Sequence, residues 1–144
     1  MQVRELMTAN PYGVQASESV QHAAEQLRRH GVGALVVYDQ SVPVGIITDR
    51  DMAIGCIAAG HQGAACPVRE HMTADPIAIA PDANTGDALE MMGTEQVRRL
   101  IVRDGPAIAG IVTLGDLAVR SDDRVAVGRA LARISQPVRI ATAE

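Results

Sequence analysis

Hydrophobic and polar positions along the chain predict an alternation of short strands and amphipathic helices. Between Ser19 and Gly31, apolar residues recur at the i, i+3, i+4 and i+7 spacing that places them on one helix face. Ser17 and Ser19 are candidate N-caps for this helix, and Gly31 is placed to end it. Apolar runs at 34–38 and 43–48 predict two buried strands joined by a tight turn.

Further elements complete the first unit. A strand at 13–16 precedes this helix and a second helix at 49–59 follows the two strands, so the unit is β-α-β-β-α. Residues 3–7 predict a short helical lead-in. Pro11 then biases Asn10 toward extended geometry, because the proline ring crowds the preceding residue.

The whole pattern recurs 65 residues later without a gap. Thr8 returns as Thr73, and Gly45 returns as Gly110. An offset that holds through helical and extended stretches alike indicates two copies of one supersecondary unit, which must pack together to bury their apolar faces. In the second copy we predict strands at 77–80, 99–103 and 108–113 and helices at 84–95 and 114–121.

The expected fold is therefore α/β (α+β), with two β-α-β-β-α repeats packed around a pseudo-two-fold axis and a short C-terminal helix. A helix at 124–134 follows the second copy and is expected to pack on the pair or on a partner, while 136–144 is expected to be a loose tail. The predicted divisions are repeat 1 (1–60), a linker (61–67), repeat 2 (68–121) and the C-terminal helix with its tail (122–144).

Composition removes several classes of function. The chain of 144 residues is 47% hydrophobic, has a formal net charge of −4 and contains two aromatic residues, both tyrosines. This counts against an aromatic RNA-binding platform and against nonspecific nucleic-acid binding. Apolar runs are too short to span a membrane, the start lacks a signal-peptide core, and two cysteines do not make a disulfide framework. We therefore expect a cytoplasmic globular protein.

The sharpest local pattern is a Thr-x-x-Asp segment where a strand enters a helix, present in both copies. It joins Thr48 to Asp51 and Thr113 to Asp116. The spacing is that of a capping box, and capping alone explains it. A functional interpretation adds to capping, because a helix start offers amides to a phosphate and a carboxylate accepts ribose hydroxyls.

With these segments in register, the chain resembles a tandem pair of cystathionine-β-synthase (CBS) domains over residues 3–120. The likeness rests on the lead-in ending in Met-Thr, the strand at 97–102 and the Gly-Ile-x-Thr-x-x-Asp segments at 45–51 and 110–116. It looks most like small stand-alone bacterial CBS pairs, including the hypoxic-response type. The resemblance implies a regulatory module in signal transduction or bacterial stress response.

The resemblance also implies a ligand, which would be AMP, ADP or ATP, or else NAD or S-adenosylmethionine, held in clefts between the repeats. No cofactor is required. The implied residues comprise the two Thr-x-x-Asp pairs, the backbone after each lead-in, and basic residues near the phosphate. They are Thr8, Pro11, Thr48, Arg50, Asp51, Thr73, Pro76, Ile77, Arg98, Arg99, Thr113 and Asp116.

The two copies differ at two adjacent positions that matter for phosphate. Repeat 1 has Gly33 and Ala34 where repeat 2 has Arg98 and Arg99. We therefore favour the second copy as the better nucleotide site. The resemblance further implies a homodimer formed through the helices and an effector protein that receives the signal.

Other functions remain as alternatives. A CBS pair with degenerate clefts would be a structural or interaction protein. Cys56, His61, Cys66 and His71 recur every five residues and suggest a redox- or metal-responsive module. Structural zinc sites use closer pairs and five is not a helical-face spacing, so free cysteines without a metal are the favoured interpretation. The chain shows no nucleophile elbow or phosphate-cradling Gly loop, and we expect no enzymatic activity.

Overall fold

The computed structural model describes residues 1–137, and within them the chain forms eight strands and five α-helices. The helices are α1 (Val20–His30), α2 (Asp49–Asp51), α3 (Thr85–Glu95), α4 (Leu114–Arg120) and α5 (Arg124–Ile134). The strands are β1 (Thr8–Ala9), β2 (Gly13–Gln15), β3 (Ala34–Asp39), β4 (Val42–Thr48), β5 (Thr73–Ala74), β6 (Ala78–Ile79), β7 (Arg99–Asp104) and β8 (Ala107–Thr113). The mixed α/β fold with two repeats is confirmed. No helix in this part of the chain has the length and apolar character needed to cross a membrane.

Two four-stranded sheets carry these elements, with strand orders β2-β3-β4-β5 and β1-β8-β7-β6. In each sheet a long antiparallel hairpin forms the centre, β3 with β4 and β7 with β8. One flanking strand is parallel to the hairpin, β2 beside β3 and β6 beside β7. The other flanking strand, β5 or β1, is antiparallel and only two residues long.

These two-residue strands exchange between the repeats. β1, from the lead-in of repeat 1, pairs with β8 of repeat 2, and β5, from the lead-in of repeat 2, pairs with β4 of repeat 1. The chain accordingly forms two compact units, which we call unit A and unit B. Unit A comprises Met1–Ala9 together with the chain from Ala78 onward, and unit B comprises Asn10–Ile77.

A glycine permits each exchanged strand to lie close to its neighbour. A Cβ atom built on Gly110 would lie 2.6 Å from the carbonyl oxygen of Thr8. The equivalent atom on Gly45 would lie 2.6 Å from the carbonyl oxygen of Thr73. Any side chain at either position would push the backbone of the short strand away. The glycine of each Gly-Ile-x-Thr segment is therefore needed for the pairing of its strand with the exchanged strand.

The first helix forms as the apolar pattern predicted. The Ser19 hydroxyl accepts a hydrogen bond from the amide of His22 at 3.1 Å. Gly31 ends the helix in the left-handed region at φ 64°, which costs glycine little. The buried face of α1 carries Val20, Ala23 and Leu27. Caps and periodicity together therefore determine both the bounds of α1 and the face that it buries.

The repeat extends to unusual backbone conformations. Asn10 and Asp75, which stand 65 residues apart and each precede a proline, have φ of 50° and 47°. The expectation that Asn10 is extended is therefore wrong. The left-handed region is open to Asn and Asp, whose short polar side chains lower its cost, and the lead-in turns there instead of continuing straight.

The second helix departs from the regular helix predicted at 49–59. Only the three residues of α2 are α-helical, and the chain continues as a π-helix from Met52 to Ile57. A π-helix is bonded across five residues, and the amide of His61 continues this spacing by donating to the carbonyl of Cys56 at 3.1 Å. The repeat-2 counterpart α4 is α-helical throughout. This wider turn changes which side chains of unit B face the linker.

The C-terminal helix α5 packs on α3 within unit A. Arg133 forms an ion pair with Glu90 at 2.9 Å and donates a hydrogen bond to the Thr94 hydroxyl at 2.9 Å. Ala130 and Ile134 supply its buried face. Helix α5 thus covers a face of the second repeat, and the part of the predicted tail at 138–144 lies outside the described residues.

Candidate functional site

Both Thr-x-x-Asp segments form complete capping boxes. In unit A, the Thr113 hydroxyl accepts from the amide of Asp116 at 3.1 Å, and the Asp116 carboxylate accepts from the amide of Thr113 at 2.9 Å. In unit B the corresponding distances between Thr48 and Asp51 are 3.2 Å and 3.0 Å. The four side chains are half-buried. Each box uses one carboxylate oxygen, so the other oxygen and the Thr hydroxyl proton remain available to a ligand.

Unit A brings two arginines to its capping box. Arg99 is the register partner of Thr113 in the β7–β8 pair. The amide of Leu114, the first residue of α4, donates to the carbonyl of Arg98 at 2.8 Å. Arg98 is exposed and Arg99 is half-buried. Two guanidinium-bearing residues therefore lie at the end of the hairpin where the capping box begins.

The exchanged strand adds Thr8 to this end of unit A. Thr8 pairs with Ile111, two residues before Thr113 on the same strand. The structure thus assembles Thr8, Arg98, Arg99, Thr113 and Asp116 in one compact unit. Sequence reasoning placed this lead-in in repeat 1 and missed its pairing with repeat 2, because pairing of two-residue strands leaves no periodic signal.

Unit B collects the remaining candidates around a capping box without arginines in the equivalent strand. Ala34 is the register partner of Thr48, as Arg99 is of Thr113. Thr73 pairs with Ile46 through the second exchanged strand. Arg50 is exposed at the start of α2. Also in unit B are Pro11, Asp51, Pro76 and Ile77.

A second group of side chains in unit B joins the linker to the helix before it. Cys56, Cys66 and His71 each place a potential ligand atom within 4.8 Å of the other two. The sulfur atoms of Cys56 and Cys66 lie 2.9 Å apart. His61, the remaining member of the series spaced by five residues, is exposed and is not in the group.

Sequence spacing argued against this group, and the reason lies in the backbone. Residues five apart do not share a face of a regular α-helix, but of the group only Cys56 lies on a helix, the π-helix at Met52–Ile57. Cys66 returns to it because its carbonyl accepts from the amide of Val20 at 2.8 Å, which anchors the linker beside α1. Non-local contacts therefore bring the group together.

The thiol of Cys66 is held in its protonated form. The hydrogen bond with Cys56 raises the pKa of Cys66 from 9.0 to about 11, with further contributions from burial and from the charges of Cys56 and Glu70. A thiol is a weak nucleophile, so Cys66 should react slowly with alkylating agents near neutral pH.

One surface depression in unit A is separate from these groups. Its lining residues are Met1, Gln2, Arg4, Glu5, Asp82 and Asn84. None of them was a candidate from the sequence. The depression is open and the lead-in forms part of its wall, so it offers a ligand little enclosure.

The sequence pattern of the CBS domain family matches this chain twice, at residues 3–54 and 68–122. The chain belongs to the CBS domain family. Both matches end within or just after the helices that follow the capping boxes, so each repeat of this CBS pair contains one Thr-x-x-Asp segment.

Relatives of the pair include small proteins of similar length. CBS domain-containing protein YhcV of Bacillus subtilis is 38% identical over 133 residues, covering 92% of this chain and 94% of that protein. Hypoxic response protein 1 of Mycobacterium tuberculosis is 32% identical over 116 residues, covering 80% and 81%. Little of either relative lies outside the region that resembles this pair.

Solved structures confirm the fold. Hypoxic Response Protein I with two coordinated zinc ions superimposes with a TM-score of 0.73 at 31% identity, covering 83% of this chain and 98% of that one. A hexameric CBS-CP12 protein from bloom-forming cyanobacteria gives a TM-score of 0.79 at 25% identity, covering 86% and 70%. The family thus includes a metal-containing protein and an oligomeric protein.

Proposed function

We propose that this CBS pair is a regulatory module that binds an adenine nucleotide at the capping box of unit A and passes the bound state to a partner. The observation that carries the proposal is the strand register that places Arg99 opposite Thr113 of the capping box, with Arg98 bonded through its carbonyl to the amide of Leu114. Unit B repeats the box without these cations. The sequence preference for the second copy therefore has a structural counterpart.

The chemistry of this end of unit A suits a phosphorylated ribose. A guanidinium donates paired hydrogen bonds to phosphate oxygens, and Arg99 is half-buried, which lessens screening of its charge. The carboxylate oxygen of Asp116 outside the capping box can accept a ribose hydroxyl. The Thr113 hydroxyl, which already accepts from an amide, can still donate its proton.

The experiment is a thermal-shift panel of AMP, ADP, ATP, NAD and S-adenosylmethionine, with native mass spectrometry of the freshly purified protein to detect a retained ligand. A ligand at 100 times its Kd stabilises the folded state by about 2.7 kcal/mol. We expect at least one adenine nucleotide to raise Tm. If millimolar concentrations of all five leave Tm unchanged, the nucleotide proposal is wrong.

A pair of matched variants locates the site. Asp116→Ala and Asp51→Ala each remove one capping-box carboxylate, so both lose similar helix-start stabilisation. Only Asp116→Ala should weaken nucleotide binding, by about 10- to 100-fold for a hydrogen bond to a charged group. Arg99→Ala should weaken it similarly without touching the cap. Equal weakening by both aspartate variants would contradict the preference for unit A.

We further propose that the protein self-associates as a homodimer through its helices. Ile54 and Val119 stand 65 residues apart, one in each unit, and are 61% and 83% exposed. Ile57 is also 70% exposed. Apolar side chains exposed at matching places in both repeats suit a symmetric interface, and the hexameric CBS-CP12 protein is an oligomeric precedent.

Light scattering on the intact protein tests the homodimer. We expect a dimer mass for the parent and a monomer mass for the double variant Ile54→Asp, Val119→Asp. A monomer mass for the parent at concentrations near 100 μM, about two orders of magnitude above a Kd of about 1 μM, would refute it.

Two alternatives remain distinct from nucleotide sensing. A structural or interaction protein with degenerate sites would show no ligand response in the thermal-shift panel. A metal-responsive module has a precedent in the zinc ions of Hypoxic Response Protein I. The nucleotide proposal is preferred because the arginines and the capping box occupy one strand end in unit A.

A further inference from the structure

We propose that Cys56, Cys66 and His71 form a binding site for one transition-metal cation of the zinc class. Their ligand atoms lie within 4.8 Å of one another inside unit B. Cys56 is fully buried, Cys66 is 4% exposed and His71 is half-buried. Two sulfur atoms and an imidazole nitrogen that converge in an apolar core are an unusual arrangement unless they share a ligand or a bond.

A different main-chain feature fixes the position of each of the three residues. Cys56 lies on the π-helix, and Cys66 follows a short 3-10 turn at Gly63–Ala65 whose return is fixed by the Ser19–Pro67 bridge. The amide of His71 donates to the carbonyl of Val68 at 3.0 Å. The ligands are thus positioned by main-chain contacts, so a metal ion does not have to order the chain first.

A glycine leaves room for the imidazole. A Cβ atom built on Gly55 would lie 2.9 Å from Nδ1 of His71, so any larger residue would displace the ring. Gly55 directly precedes Cys56 on the π-helix. The same helical turn therefore supplies one ligand and the space for another.

The distances require only a small adjustment for coordination. With Zn–S bonds of about 2.3 Å, tetrahedral geometry separates two sulfur ligands by about 3.8 Å. The sulfur atoms of Cys56 and Cys66 are 2.9 Å apart and must separate by about 0.9 Å, within the reach of a χ1 change. A disulfide at about 2.05 Å would need a movement of similar size in the opposite direction. Sulfur separation alone does not distinguish the two outcomes.

The presence of His71 favours metal coordination over a disulfide between Cys56 and Cys66. An imidazole is a common partner of two thiolates in a zinc site but has no part in a disulfide. Two soft sulfur ligands and one nitrogen, with no carboxylate in the group, favour Zn²⁺ over Mg²⁺ or Ca²⁺. Three protein ligands leave the fourth position to a water molecule or another small ligand. The exposed His61 side chain is not assigned to it.

The direct test is metal titration of the full chain under a non-thiol reductant, after removal of metals with a chelator. We expect one Zn²⁺ per chain, measured by competition with a chromophoric chelator. Co²⁺ in its place should give the thiolate charge-transfer and intense visible bands of a tetrahedral site. Bound Zn²⁺ should also protect both cysteines from alkylation, as read by mass spectrometry.

Variants assign the ligands. His71→Ala and Cys66→Ala should each weaken Zn²⁺ binding more than about 100-fold, beyond the effect of losing an outer-shell contact. His61→Ala is the matched control and should leave the affinity unchanged. Since Cys66 is buried and its variant could misfold, circular dichroism accompanies each titration, and the half-buried His71 provides the second, independent readout.

Three results would overturn the proposal. They are a reduced, folded protein that takes up no stoichiometric Zn²⁺, an affinity that His71→Ala leaves unchanged, and a loss of affinity in His61→Ala equal to that in His71→Ala. Rapid formation of a Cys56–Cys66 disulfide in air, together with failure of the reduced form to bind Zn²⁺, would assign the pair to redox chemistry instead.

Discussion

Replacing Gly110 with alanine should separate the exchanged strand β1 from its neighbour β8. The added Cβ would lie 2.6 Å from the carbonyl oxygen of Thr8 and 2.7 Å from the sulfur of Met7. The sulfur can move with its side chain, but the carbonyl belongs to the paired backbone. Because the closest ordinary carbon–oxygen approach is about 3.3 Å, β1 must move outward by about 0.7 Å.

That displacement sets the magnitude of the effect. A hydrogen bond of about 2.9 Å lengthened by 0.7 Å is no longer a hydrogen bond. Loss of about two bonds between β1 and β8, at about 1 kcal/mol each, should destabilise the protein by about 2 kcal/mol, within the range known for overpacking. The corresponding fall in Tm is about 4–8 °C. The rest of the lead-in should stay attached, because Val3 and Leu6 are buried.

Urea unfolding with amide hydrogen exchange checks this prediction. Exchange should accelerate along β1 and β8 in Gly110→Ala and along β5 and β4 in the matched variant Gly45→Ala. Gly128→Ala is the control for alanine itself, because Gly128 is exposed in α5 and its Cβ would meet nothing within 4 Å. A loss below about 0.5 kcal/mol in Gly110→Ala, or unchanged exchange along β1, would refute the close-approach argument.

Three further predictions follow from single residues. Gly128→Ala should stabilise the protein by about 0.5–1 kcal/mol in urea unfolding, because alanine favours an exposed helix interior; a loss would contradict this. Thr113→Ala and Thr48→Ala should each cost about 1 kcal/mol, and unequal costs would show that the two caps differ in strength despite their similar geometry. Because Cys66 titrates at a higher pH when folded, the unfolded chain loses its proton first, so stability should fall from pH 9 to about 11, and Cys66→Ala should flatten that fall. A slope unchanged in Cys66→Ala would contradict the assignment of this pH dependence to Cys66.

Local pattern was enough to predict most helices and hairpin strands. The bounds of α5 at 124–134 were predicted to the residue, and α1 began after Ser19, one of its two candidate caps with Ser17. In both cases the information lies within one or two turns of the chain, where apolar spacing and capping chemistry act. Elements of this kind need no knowledge of distant partners.

Features that depend on distant partners were missed. The two-residue strand β1 is too short to show periodicity, and the sequence of the lead-in carries no signal for a partner strand about a hundred residues away. The Cys56, Cys66 and His71 group was disfavoured on its spacing along the chain, whereas Cys66 and His71 lie beyond the helix that carries Cys56 and reach it through the fold of the linker. The positive φ of Asn10 was missed because the proline rule was applied without the tolerance of Asn for left-handed backbone.

The two repeats share their strand pairing and capping boxes but differ in the side chains on which the two proposed sites depend. Ser121 of unit A stands where unit B has Cys56, while Ala34 of unit B stands where unit A has Arg99. The residues proposed to hold the metal ion therefore lie in unit B, and those proposed to hold the nucleotide lie in unit A. The ratio of nucleotide affinities with and without Zn²⁺ gives the coupling free energy, and His71→Ala should abolish any difference between them. A value near zero would leave two independent binding units, whereas about 1 kcal/mol or more would make each ligand alter the affinity for the other, as allosteric reciprocity requires.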